Sequence, residues 1–160
     1  MIQAITETTF QAYISTEDNR IDTSVGTSQI QYLFKITNDM DGDIHYVYAL
    51  IINIYPRYSL FLFDYNVSPD RYANQVKLIP SGHYKYEVYE VSWIGTPTLI
   101  RTKAPFTETD VLSPVADDKG VVQGLVTKGI LNVTDKAGTA QVQYTQREAP
   151  ESTNYIYHGQ

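Results

Sequence analysis

The 160-residue chain contains no cysteine, which excludes disulfide bridges, thiolate metal sites and a cysteine nucleophile together. Charge is scarce as well. Asp, Glu, Lys and Arg make up 19% of the residues, below the usual quarter, and the balance is acidic, at −6 with a pI of about 4.9. No block of Lys or Arg occurs. The cationic footprint that a phosphate backbone requires is therefore missing, and neither nucleic acid nor an anionic membrane surface is expected as a partner. The first residues, Met1-Ile2-Gln3-Ala4-Ile5-Thr6-Glu7, offer neither positive charge nor a long apolar run, so no secretory leader is expected. The most apolar stretch, 44–63, is interrupted by Asn53, Pro56 and Arg57 and does not suit a membrane-spanning helix. Nowhere do apolar residues recur at three and four over three turns, so no long helix is predicted. There is no Gly-rich phosphate loop and no G-x-S-x-G nucleophile elbow.

What the chain does have is tyrosine, 14 of them. A Tyr ring packs well on a pleated surface and its hydroxyl reaches water at the rim of a thin core, so the abundance points to β structure. The apolar pattern agrees, with period two. In 28–36, Ile30, Tyr32, Phe34 and Ile36 share one face, while Gln29, Gln31 and Lys35 share the other with one apolar exception, Leu33. Turn residues 38–43 follow, then 45–54, apolar on both faces and so expected to be a central strand. Further strands are predicted at 58–65 and 75–79. After the tight corner Pro80-Ser81-Gly82 comes 83–93, with a bulge expected near 87–90 because the aromatic phase flips there. A weaker strand is predicted at 98–103.

Pattern is lost over 104–120, predicted to be a long exposed loop, and resumes at 121–133, 139–145 and 155–157. Gly124 and Gly129 are expected to mark bends or a close backbone approach. The whole, 1–160, is predicted to be one all-β domain, a sandwich or barrel, with residues 121–160 forming C-terminal strands and a docking tail.

Candidate chemistry is sparse. His45, His83 and His158 are far apart and in no metal-spaced pair. Asp39-Met40-Asp41-Gly42-Asp43 has the composition of a calcium loop, but Leu50 stands where the twelfth-position carboxylate belongs, and a hairpin turn accounts for the cluster. Glu87 and Glu90 differ in parity and should face opposite ways, on a solvated strand. Asn66-Val67-Ser68 and Asn132-Val133-Thr134 match the glycosylation sequon, which carries no weight without a leader. No cofactor and no catalysis are expected.

Two resemblances extend this reading. The run from Leu78 through Pro80-Ser81-Gly82 to Tyr84 and Tyr86 resembles the E–F corner of immunoglobulin-like sandwiches. There a tyrosine hydroxyl bonds back to upstream backbone, a role this likeness gives to Tyr84, with Tyr86 as substitute. It implies an antiparallel immunoglobulin-like β-sandwich. Tyr86-Glu87-Val88-Tyr89-Glu90, a loop, and Gly129-Ile130-Leu131-Asn132-Val133 together resemble small tyrosine-rich virion proteins of tailed bacteriophages.

That second likeness implies a non-enzymatic structural protein of the virion, in a head, head–tail or fibre-attachment position. Its partners would be capsid, portal, tail or fibre proteins in an oligomeric assembly. The contact residues expected are Pro105, Phe106, Val111 and Leu112 in the loop, and Tyr155 and Tyr157 at the end of the chain. The competing expectation is a carbohydrate-binding or adhesin module that uses Tyr55, Tyr58, Tyr65 or Trp93 as flat sugar platforms.

Overall fold

The computed structural model, which describes residues 1–112 and 119–136, turns the period-two alternation into nine strands. These are β1 (Ile2–Ile5), β2 (Phe10–Ile14), β3 (Ile30–Asn38), β4 (Ile44–Tyr48), β5 (Leu50–Ile54), β6 (Ser59–Tyr65), β7 (Gln75–Val76), β8 (Gly82–Ser92) and β9 (Val121–Thr134). The only helical turns among the described residues are two short 3-10 segments, Glu17–Asn19 and Thr27–Gln29. The predicted strands at 139–145 and 155–157 lie outside the described residues.

The strands form two packed sheets. One runs β1-β9-β8-β3-β4; the other runs β2-β6-β5, with β7 alongside β6. Both are mixed rather than purely antiparallel, because β1 joins β9 in parallel and β7 joins β6 in parallel. Each parallel pair joins segments far enough apart in the chain, or linked by a long enough loop, to avoid the hairpin that forces antiparallel pairing.

Alternation places the core. Tyr32, Phe34 and Ile36 of β3 and Tyr84 and Val88 of β8 face Ala12, Ile14, Phe61 and Phe63 of the second sheet, all at most 3% exposed. Phe34 sits edge-on to both Phe61 and Phe63, at centroid distances of 5.1 and 5.0 Å, and Tyr32 is edge-on to Phe61 at 5.6 Å. Such pairs contribute about 0.5–1.5 kcal/mol each beyond burial.

Two expectations are corrected, and two strands are added. The stretch expected as one central strand divides at the buried Ala49 into β4 and β5, which are terminal strands of different sheets. Its two apolar faces reflect a change of sheet, not burial on both sides. Residues 98–103 are turns rather than a strand, closed by Ile100 N–H to the Thr98 carbonyl and Ala104 N–H to the Ile100 carbonyl, at 3.1 and 2.8 Å. β1 and β2, of four and five residues, were not anticipated.

The β8 corner forms as its sequence suggested. Tyr84 is fully buried and its hydroxyl donates to the Pro80 carbonyl at 2.5 Å, with burial pushing the phenol up to about 12. Pairing of β8 with β9 slips between Val88 and Tyr89 and again between Glu90 and Val91, the second time opposite Gly124, whose φ is +150°. At Gly129 the Tyr86 ring lies so near that an added Cβ would meet it at 2.6 to 2.9 Å. Removing the corner hydroxyl with Tyr84→Phe is expected to lower unfolding free energy by about 1 kcal/mol in urea titrations at unchanged m-value. Tyr86→Phe, with no such bond to lose, should cost less.

Candidate interaction surface

Leaving β8, the chain folds back across the outer face of the five-stranded sheet. Leu33, Tyr48, Val91, Trp93 and Ala104 form a second buried cluster there, with Tyr46, Tyr72, Tyr89 and Leu99 packed against it. Leu33 and Val91 therefore lie on a covered outer face. That coverage explains both the apolar exception in β3 and the aromatic phase change in β8. Gly120 closes the cluster. A Cβ there would stand 2.5 Å from the Trp93 ring, and its N–H donates to the Lys103 carbonyl at 2.8 Å.

Residues 104–110, part of the segment expected to be an exposed loop, are strapped down by polar contacts. Ala104 and Pro105 are buried, and the Pro105 carbonyl accepts from the Tyr48 hydroxyl at 2.8 Å. The Arg71 guanidinium lies over the Phe106 ring at 3.2 Å and donates to the Phe106 carbonyl at 2.9 Å. Asp110 accepts from the Phe106 and Thr107 amides at 2.8 and 3.2 Å. Glu108 accepts from the Lys35 ammonium and from the Tyr46 hydroxyl, both at 2.6 Å.

Burial opposes ionisation of Glu108, but those hydrogen bonds outweigh it and hold the carboxyl below its ordinary 4.5. The same bond to Glu108 raises the Lys35 ammonium, and burial with the Glu108 contact pushes Tyr46 up to about 12.

Of the contact residues expected from sequence, Pro105 is thus enclosed, and Phe106 is 41% exposed with Arg71 over its ring. Val111 projects at 91% exposure, and Leu112 lies half-buried in a cleft with Trp93, Lys119 and Val121. Tyr155 and Tyr157 lie outside the described residues.

The second sheet is different. Its outer face carries Gln11 and Tyr13 of β2, Leu60 and Leu62 of β6, and Leu50 and Asn53 of β5, as the register Tyr13↔Leu60, Leu50↔Leu62 and Asn53↔Leu60 requires. Tyr13 is 64% exposed and Leu50 52%, and Ile52, Tyr58 and Ile54 add further exposed apolar surface. Tyr58 meets Tyr13 edge-on at 5.6 Å and Tyr55 at 4.7 Å.

The only charge in β2, β5 and β6 is Asp64 at one end, and its carboxylate accepts from Thr9 and Asn74 at 3.1 and 2.8 Å. The described part of this face is thus uncharged, with Tyr13 and Leu50 open to solvent and Leu60 buried at 9% exposure. Sequence reasoning placed Leu50, Ile52 and Ile54 in a central strand and did not anticipate β2. The clue it passed over was the absence of charge on either face of Leu50-Ile51-Ile52-Asn53-Ile54.

Rings suited to a sugar platform are not laid flat here. Trp93 is 1% exposed, and the Tyr13–Tyr58 and Tyr58–Tyr55 planes meet at 70° and 36°.

The titratable candidates are dispersed. His45 is half-buried on β4, its imidazole pushed down by burial against the pull of Asp43 and Asp41, while His83 is exposed on β8; His158 lies outside the described residues. Glu87 and Glu90 do face opposite ways. Glu87 lies 3.6 Å from Lys35, but Glu90 is not solvated. It is fully buried and accepts from the Ile21 and Asp22 amides at 3.0 and 2.7 Å.

In the 38–43 turn, Gly42 has φ +79°, Asp41 accepts from Asn38 and from the Asp43 amide, and Lys85 pairs with Asp39. Among the described residues no group of three or more His, Asp or Glu side chains is placed to hold a metal ion. No helix among them is long and apolar enough to cross a membrane. Compared with protein-family models, with curated proteins and with solved structures, the chain matches none.

Because Glu108 ionises more readily folded than unfolded, its contribution is complete above pH 4.5 and is lost as pH falls through its lower folded value. Trp93, the sole tryptophan, reports on the strap that covers it. Its emission should stay blue at neutral pH and shift red below pH 4.5 in a step that Glu108→Gln largely removes.

Proposed function

We propose that the protein is a non-enzymatic assembly component, working through protein–protein contact as a structural element of a tailed-bacteriophage virion. The observation that carries this reading is the outer face of β2-β6-β5. Apolar surface left open on one sheet, while the other sheet has its own strap, fits a protein completed by a neighbour. The virion setting comes from the likeness of the Tyr86 to Glu90 and Gly129 to Val133 strands, which are paired partners in the fold over Tyr86↔Gly129.

An immunoglobulin-like sandwich is part of the same proposal. In its support, one sheet carries the first strand parallel to the last, followed by the strands in the order β9-β8-β3-β4, and the other carries β2-β6-β5. That order corresponds to strands A′GFCC′ facing BED. The Tyr84 hydroxyl returning to Pro80 at the start of β8 sits where a corner tyrosine belongs.

Head auxiliary, head–tail and fibre-attachment positions all use such contacts. Mass spectrometry of purified particles is expected to find the chain. A Tyr13→Glu, Leu50→Glu variant, with unchanged circular dichroism and melting temperature, should be lost from them. Absence of the wild-type chain from particles, or undiminished incorporation of the variant, would sink the reading.

A further inference from the structure

We propose that the cavity between the outer edge of β4 and β7 binds a tetrahedral oxyanion of the sulfate or phosphate class. The inference is independent of the contact face proposed above and uses none of its residues.

β4 is a terminal strand, and its ladder decides which backbone groups face outward. The Asn38 amide donates to the Asp43 carbonyl at 2.9 Å, so Ile36↔His45 and Phe34↔Val47 are the hydrogen-bonded pairs of β3 and β4. Ile44, Tyr46 and Tyr48 therefore turn their N–H and C=O groups away from β3. The Tyr48 amide donates to the Arg71 carbonyl at 2.7 Å. Beyond that bond the chain leaves the edge. β7 pairs with β6 instead of continuing along β4, and a cavity of about 100 Å³ lies between them. Ile44 to Tyr46 wall it on one side, Gln75 to Lys77 on another, and Pro69 and Arg71 on a third.

The lining offers donors and positive charge. Lys77 is half-buried and has no ion-pair partner among the described residues. Gln75 uses its Oε1 to accept from the Asn66 side chain and the Asp70 amide, at 2.9 and 3.2 Å, which leaves its own NH2 to donate elsewhere. His45 turns inward opposite Ile36, and its Nε2 is buried without a hydrogen-bond partner. Leaving such a nitrogen unpaired is costly, and an anionic oxygen would accept from it. The Arg71 guanidinium is committed to Phe106, so it adds positive potential rather than a contact.

Two of the three acids near this lining are already engaged. Asp41 accepts from the Asn38 side chain and the Asp43 amide, and Asp70 accepts from the Tyr72 amide at 2.9 Å. Asp43 draws the His45 imidazole toward protonation, while burial and Lys77 oppose it. The free donors thus outnumber the free carboxylates.

Size and shape narrow the ligand. A water takes roughly 30 Å³ of liquid volume, so the cavity suits one small polar group and is too small for a sugar or a cofactor. Donors arriving from separate segments suit an anion whose acceptor oxygens point in four directions better than a flat carboxylate.

Histidine NMR on the full chain tests this, with sodium sulfate compared against sodium chloride at equal ionic strength. In the wild type the His45 titration midpoint should rise saturably by about half a pH unit or more, because an opposite charge within about 4–6 Å favours the imidazolium. His83, exposed on β8, should not follow. Lys77→Gln should weaken the sulfate response about tenfold, and Lys77→Arg should retain it. Circular dichroism and melting temperature serve as the check that both variants fold. A His45 midpoint indifferent to sulfate, or a Lys77→Gln response equal to wild type, overturns the proposal. So does a formate response as strong as that of sulfate. None of these outcomes bears on the particle-incorporation test of the contact face.

Discussion

β8 is paired along its length with β3 on one side and with β9 on the other, and toward its C-terminal end both of its faces are covered. This double coverage is the constraint from which the rest of the molecule follows. A strand enclosed on both faces is costly to leave with buried polar groups unpaired, and the most deeply buried ones in this strand have local partners. Glu90, fully buried, is met by two backbone amides of the 20–22 segment. Tyr84 reaches back to Pro80, and Ser92 accepts from Gln123 at 2.8 Å. The strap anchored by Glu108 finishes the outer face of this strand and of β3, and Lys35, on that face beside Glu87, is the cation that Glu108 meets.

The two sheets thus reach solvent on different terms. One supplies its own outer layer from the chain that follows β8. The other has tyrosines and leucines with neutral polar neighbours and no covering segment among the described residues. In a chain with so little charge overall, that distribution leaves the charged groups off this face.

Much of the fold was legible from alternation alone. β3, β6, β8 and β9 lie within a residue or two of the predicted segments, because their periodic apolar residues face one continuous core. The bulge in β8 and the close approach at Gly129 were legible from a phase change and from a glycine inside a strand. Misreadings arose where one sequence signal has two physical causes. Apolar residues on both faces of 45–54 follow from passage between sheets as readily as from burial on both sides. Loss of pattern over 104–110 follows from a strap held by hydrogen bonds to side chains as readily as from an exposed loop. The exposure of the β2-β6-β5 outer face was illegible for the related reason that an apolar residue left at the surface has the same composition as one buried within the core.

The passage at Ala49 has a mechanical consequence. A single buried residue joins the last position of β4 to the first of β5, and so one sheet to the other. The backbone there has no slack, since consecutive Cα atoms are fixed about 3.8 Å apart. Tension applied to β5 from outside is therefore delivered directly into β4 and, through its ladder, into β3, rather than being absorbed by a flexible turn. Load borne at the margin of one layer becomes shear distributed across the other.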